Sequence, residues 1–241
     1  VYPILEYPKV LIDISRVTEL KCNYIDQNLV IGAGVTLTEL INIFTNVANA
    51  ENFSYLKVIN DHLSLVAHVT IRNLGTIAGN LMLKHRYREF KSDLFLLLET
   101  VGAQLRIMVS FASFKVLSMQ EFLNEDMTKK IITNILLPPL NYEHKLVTYK
   151  IMPRAQNAHA LIHAGFLYKI DAATTVKRCR IVYGGLSPTF IRAWNTEKYL
   201  IGKSLFRNET LQSAINVLKN EIVVTENLPE PPVEYRRRVA L

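Results

Sequence analysis

Between Thr70 and Leu94 the chain reads TIRNLGTIAGNLMLKHRYREFKSDL, and the six residues at its centre, Gly75-Thr76-Ile77-Ala78-Gly79-Asn80, restrict the fold more than any other stretch. Three of the six carry little or no side chain. Main-chain N–H groups can therefore come close to an anionic ligand, and successive N–H groups in a turn form a concave anion site. Thr76 and Asn80 add a hydroxyl and an amide at either end of that turn, a set suited to a phosphate or a sugar-phosphate junction. Farther on, Ser92-Asp93 precedes the apolar run LFLLLE. This predicts a helix capped by Ser92, with Asp93 at its edge, where a carboxylate can accept hydrogen bonds from ligand hydroxyls. A tight surface turn followed by an ordinary capped helix fits the same letters.

With 241 residues the chain can form one large domain or two smaller ones. Apolar residues make up 49% and charged residues 20%, and no apolar run approaches the roughly 18 residues needed to cross a bilayer. This composition predicts a soluble, cytoplasmic chain with no membrane partner. Val1-Tyr2-Pro3 is not an initiator sequence and no signal peptide is visible, so the chain is expected to begin inside a longer protein. Cys22 and Cys179 are too far apart for a CxxC spacing and are expected to be buried free thiols. The formal charge is 28 − 21 = +7, but the basic residues are scattered except at Arg236-Arg237-Arg238. No nucleic-acid motif accompanies them. A diffuse positive potential suits an anionic cofactor or an acidic partner domain instead.

Taken in order, VLIDIS predicts a strand and Arg16 to Leu20 a short helical turn. Leu29 to Ile31 reads as a strand entering Gly32-Ala33-Gly34, after which Thr36 or Thr38 caps a helix with apolar positions Leu37, Leu40, Ile41 and Phe44. That strand, turn and helix invite comparison with a dinucleotide fold, but GxGxxG would need glycine where Leu37 stands, so the segment is taken as structural. Asn49 to His68 reads as helix with loops. Leu94 to Gly102 completes a helix with a Gly C-cap. Strands are predicted at Gln104 to Ser110, near Phe114 to Leu117, and at Lys130 to Leu137, with a helix at Ser118 to Asn124 between the last two. Pro138-Pro139 marks a boundary. Beyond it come hairpin-connected strands, then helices near Asn195 to Leu200 and Glu209 to Val224. The pattern is α+β.

His159 and His163 have the spacing of a zinc pair, yet HExxH would need Glu at Ala160, and on a strand the two would lie about 13 Å apart. No metal site is expected. GxSxG and GxxxxGK[ST] are absent, so the chain reads as a cofactor holder and no catalytic residue is expected within it.

The run RNLGTIAGNLMLKHRYREFKSDLFLLLE resembles the flavin-binding segment of the xanthine dehydrogenase and aldehyde oxidase group of molybdo-flavoenzymes. Their pattern is a small residue, an apolar residue, Gly-Gly-Asn, a variable loop and Ser-Asp-Leu. Here Ala78 replaces the first glycine, and the loop Leu81 to Lys91 is similar to the invertebrate aldehyde oxidase type. IGAGVTLTEL, Leu136-Leu137-Pro138, Thr148-Tyr149-Lys150, YGGLSP and EYRRRVAL extend the resemblance over nearly the whole chain. It implies a vanillyl-alcohol-oxidase (p-cresol methylhydroxylase) type FAD-binding fold over residues 1–140. A smaller α+β domain of the CO dehydrogenase flavoprotein C-terminal type would follow over 142–241.

By that resemblance Thr76, Ile77, Ala78, Gly79 and Asn80 would cradle the FAD diphosphate, and Asp93 would bond the ribityl or ring region. Ile132 would pack near the cofactor, and Lys150 would offer positive charge to the isoalloxazine, favouring its anionic reduced form. Val66 stands where some xanthine dehydrogenases place an aromatic beside the flavin, which weakens nicotinamide stacking and favours dioxygen as acceptor. In the family a GNTxxG loop precedes the sequence beginning VYPILEYPK, so part of the diphosphate cradle is expected to lie outside this chain. So are two 2Fe-2S clusters and the molybdopterin portion. The expected whole is a cytoplasmic homodimer that sends electrons from aldehyde or heterocycle oxidation through the clusters to FAD, and then to dioxygen or NAD. The alternative is a degenerate flavin fold kept as an interaction module without cofactor.

Overall fold

Residues 9–226 and 230–241 are described in a computed structural model. The first sheet has five antiparallel strands in the order β1-β2-β5-β3-β4: β1 (Asn23–Ile25), β2 (Leu29–Gly32), β3 (Gln104–Ser110), β4 (Ser113–Ser118) and β5 (Ile131–Leu137). Six helices accompany it: α1 (Leu37–Val47), α2 (Leu56–Ser64), α3 (Val69–Leu74), α4 (Ile77–Arg86), α5 (Asp93–Val101) and α6 (Met119–Asn124). The second sheet runs β6-β7-β8-β9, from β6 (His144–Ile151), β7 (Ile162–Ile170), β8 (Val176–Gly184) and β9 (Ile191–Arg192), again antiparallel. Helices α7 (Trp194–Leu200), α8 (Asn208–Glu221) and α9 (Val233–Ala240) follow. The mixed, non-alternating order is α+β, as the pattern predicts.

Each sheet has its own apolar core. The first gathers Leu29, Ile31, Leu40, Phe44, Leu105, Ile107 and Ile135, and the second Ile162, Ala164, Ile181, Tyr183 and Leu218. Helix α1 starts where its sequence says it should. Thr36 accepts from the Glu39 amide while the Glu39 side chain accepts from the Thr36 amide, a reciprocal capping box.

The central element is α5. All nine of its residues are buried, so its all-round apolar character belongs to a helix packed on every side. It lies against α2, α4 and α6 of the first part and against β7 and β8 of the second. At Gly165 of β7 the approach is so close that a Cβ would come within 2.2 Å of the Thr100 hydroxyl, so the missing side chain is what lets the helix seat on the sheet. Gly102, at φ +75°, then ends α5 with its amide on Glu99 and Leu98 carbonyls.

Several expectations are corrected. VLIDIS forms no strand: Val10, Leu11 and Ile12 are 76%, 83% and 83% exposed and join no ladder among the described residues. Strand propensity reflects fit to a half-buried pleated surface, and these residues have none to pack on. Cys22 is exposed, its thiol donating to the Thr18 carbonyl, whereas Cys179 is buried as expected. The stretch read as a turn from Gly75 and a variable loop from Leu81 is largely helix α4. Helix α9, not anticipated, places Arg236 in the interior, where its guanidinium donates to the Pro231, Gly185, Leu186 and Thr225 carbonyls.

Candidate functional site

A cleft of about 580 Å³ lies along α3, the first turns of α4 and the segment between β6 and β7. Thr76, Gly79 and Asn80 form one side, Val66 and Ala67 another, and Asp93, Lys150 and His159 a third. Of the eight residues that sequence reasoning assigned to a cofactor, five are therefore brought together: Thr76, Gly79, Asn80, Asp93 and Lys150. The other three are not. Ile77 is 1% exposed in the first core, Ala78 packs against that core, and Ile132, on β5 opposite Ile107, is 3% exposed within it.

The expected cradle of bare amides is also corrected. Gly75 N–H donates to the Ile71 carbonyl, Ile77 to Val35, Ala78 to Ala33, and Asn80 to Thr76, while Gly79 N–H donates to the Thr76 hydroxyl. Five of the six amides are thus committed inside the protein. Thr76 is the N-cap of α4, its hydroxyl oxygen accepting from the Gly79 amide, as the first amides of a helix need partners outside it. What the segment offers a ligand is different. Gly79 is exposed in the first turn of a helix, where alanine is favoured over glycine by about 0.5–1 kcal/mol. Among the described residues a Cβ there would meet only the Thr76 hydroxyl, at 3.1 Å. The side of Asn80 toward the cleft is also specific: Ser92 donates its hydroxyl to Asn80 Oδ1, which leaves the amide NH₂ as the group available to a ligand. One side chain so joins the two halves of the motif.

Behind this wall lies a buried charge network. Asp93, at the first position of α5, accepts from Lys150 Nζ at 2.8 Å, from His163 Nδ1 at 2.6 Å and from His62 Nε2 at 3.4 Å. Lys150 also donates to the Leu65 carbonyl. Burial alone would raise the Asp93 pKa; the His163 ring, the hydrogen bond from His62 and the Lys150 ammonium outweigh it and hold the carboxyl well below the usual range. Burial pushes the His163 imidazole pKa down, against the pull of Asp93, and the 2.6 Å contact makes Nδ1 the donor to the carboxylate. Two imidazoles and a carboxylate within 4.8 Å can ligate a cation. Here Lys150 supplies the positive charge, and 2.6 Å between donor and acceptor is a hydrogen bond.

The comparisons with known proteins give the family and the fold. Residues 4–140 match the family of the FAD binding domain in molybdopterin dehydrogenase. The chain belongs to that family. Residues 147–241 match the CO dehydrogenase flavoprotein C-terminal domain. Indole-3-acetaldehyde oxidase of Arabidopsis thaliana is 30% identical over 95% of the chain, and xanthine dehydrogenase 2 of the same plant is 30% identical over 98%. Aldehyde oxidase 1 of Rattus norvegicus is 25% identical over 96%. The chain spans 18% of the length of each of these relatives. Among solved structures, the Cu,Mo-CO dehydrogenase aligns with a TM-score of 0.80 at 20% identity, over 98% of this chain and 79% of that one. Quinoline 2-oxidoreductase from Pseudomonas putida 86 aligns at 0.78 and 21%, over 98% and 79%. These likenesses establish the fold.

As a member of the FAD-binding family, the chain can be asked whether its residues fit that cofactor. They do: the volume lies in the range of about 300–1,000 Å³ that encloses small ligands, the Asn80 amide is an unspent donor, Gly79 leaves its side of the cleft open, and an ammonium and carboxylate lie together at its base. Sequence reasoning missed His62, Phe90, Lys91 and the role of His163. Lys91 lines the cleft and pairs with Glu230 at 2.7 Å, and its position beside Ser92-Asp93 was the one signal for it. His159 faces the cleft edge-on to Phe90, with its pKa lowered by burial.

Proposed function

We propose that the cleft holds FAD, and that the chain is the flavin station of a molybdenum-dependent aldehyde oxidase or xanthine dehydrogenase that receives electrons from 2Fe-2S clusters in the same polypeptide. The observation that carries this reading is the junction of the Gly79-Asn80 and Ser92-Asp93 segments at one cleft, closed by Lys150 from the other sheet. When bound, flavin supplies an acceptor for electron pairs that can hand them on singly or together. The chain's own contribution is placement and charge. Gly79 admits the cofactor's bulk, Thr76 and Asn80 lie where the diphosphate region would sit, and Asn80 Nδ2 donates to it. Lys150 presents an ammonium that favours electron-rich flavin, and Asp93 holds that ammonium in place. Ile77, Ala78 and Ile132 shape the seat from the core behind it.

The aliphatic wall at Val66 supports dioxygen over NAD as the final acceptor, since no aromatic there offers a stacking face. The complete protein is read as a cytoplasmic homodimer with neither nucleic acid nor membrane as partner, and the chain as a flavin domain to residue 140 followed by a second domain from 142. Purified full-length protein is expected to be yellow, with flavin released on denaturation. Asp93→Ala and Gly79→Val should each lower flavin content severalfold, the first by stranding Lys150 and the second by placing a branched side chain in the cleft. Unchanged flavin stoichiometry in both variants would overturn the site, and colourless protein that stays colourless after incubation with FAD would leave the cofactor-free reading.

A further inference from the structure

The His163 ring is fully buried, and the cleft does not reach it, yet it makes the shortest contact to Asp93. Three features fix it there. Its ladder partner is Gly184, where a Cβ would come within 2.1 Å of Nε2, so only glycine leaves room for the ring. Phe190 covers it at 5.5 Å between centroids. Among the described residues Nε2 has no hydrogen-bond partner, so the tautomer protonated at Nδ1 leaves only a lone pair in the apolar contact and directs the N–H at Asp93. The polar and charged groups facing Asp93 come from both halves of the molecule: His62 from α2, and Lys150 and His163 from β6 and β7. On those strands Lys150 and His163 are direct ladder partners. Without the His163 hydrogen bond, the carboxylate would keep one ammonium and one long contact to His62.

We propose that His163 is a positioning residue of the flavin site: from the second sheet it locks the Asp93 carboxylate, and through it the Lys150 ammonium, in the orientation the cofactor meets. The inference rests on the FAD reading of the cleft. It implies that the electrostatic face offered to flavin is assembled only when the second sheet docks on α5, and that β7 contributes to flavin binding without touching it.

The test uses the full-length protein, with FAD affinity read by flavin fluorescence quenching and the reduction potential of bound flavin read by dye equilibration. Asparagine places an N–H close to the Nδ1 position, whereas glutamine places it near Nε2 and leucine supplies none. His163→Asn should therefore bind FAD within about threefold of the wild type, and His163→Leu and His163→Gln should bind roughly 10- to 100-fold more weakly with a lowered potential, the span expected for losing a hydrogen bond to a buried charge. The Asn and Gln pair decides the matter even where the Leu variant fails to fold, because both are polar and of similar bulk. Equal affinity and potential across wild type, Asn and Gln would overturn the positioning role while leaving the flavin reading intact. A wild-type protein that takes up no FAD would overturn both.

Discussion

Ala67 stands in the cleft wall at φ +53°, a left-handed conformation that an L side chain adopts at a cost of about 1–2 kcal/mol. Its carbonyl, with those of Ser64 and Val66, accepts from one Arg72 guanidinium nitrogen, which is what holds the strained turn in place. Ala67→Gly is expected to raise stability by roughly 0.5 kcal/mol in a thermal melt while loosening the wall, so that FAD affinity falls. A gain in stability with unchanged affinity would separate the strain from the site. At this scale the sequence was informative where chemistry and local pattern coincide. Asn80 and Asp93 lie in short motifs singled out by residue type, and the structure brings both to one cleft. His62 and His163 carry no such mark, because their role depends on a carboxylate 31 and 70 positions away.

Among the elements, α4 shows how a helix can be hidden. Its buried positions Ile77, Leu81 and Lys84 fall at helical spacing, but the third is a lysine. Lys84 donates to the Arg88 and Pro188 carbonyls and covers the Phe190 ring at 4.6 Å, with burial pushing its pKa down to about 8. Gly79 and Asn80 further lower the intrinsic preference for helix. The first turn is held by Thr76, which caps the Gly79 amide and meets Thr36, the cap of α1, across an isolated bridge. Thr76→Ala should therefore cost about 1 kcal/mol in denaturant unfolding and lower flavin content by fraying the end that carries Gly79 and Asn80. Helices α1, α5 and α6 were legible because each begins at a side-chain cap, Thr36, Ser92 or Ser118, before an apolar run.

Across the whole molecule, α5 is clamped to the second sheet by a second ionic group. Glu99 accepts from Arg180 at 2.8 Å and lies 3.4 Å from Arg192, which also pairs with Glu197. Burial raises the Glu99 pKa, the two guanidinium groups opposing it. A carboxyl whose folded pKa is raised contributes stability below its unfolded value, near 4.3, and loses it as pH climbs through the folded value. Arg180→Met should thus destabilise the protein by roughly 3 kcal/mol at neutral pH, with the loss shrinking on acidification as Glu99 takes up a proton; melting temperatures of both proteins across pH would show the gap narrowing. A gap of constant size would mean that Arg180 acts by packing alone. The sequence by itself determined the α+β class, most strands and capped helices, and the motif residues that line the cleft, because periodicity, capping and small side chains act over a few neighbouring positions. Only the tertiary structure decided that five of the six motif amides are spent internally, that VLIDIS finds no sheet among the described residues, and that Asp93 is held by both halves of the molecule. Backbone donors, strand edges and buried charges take whichever partner the packed chain brings within reach, and that choice is not local.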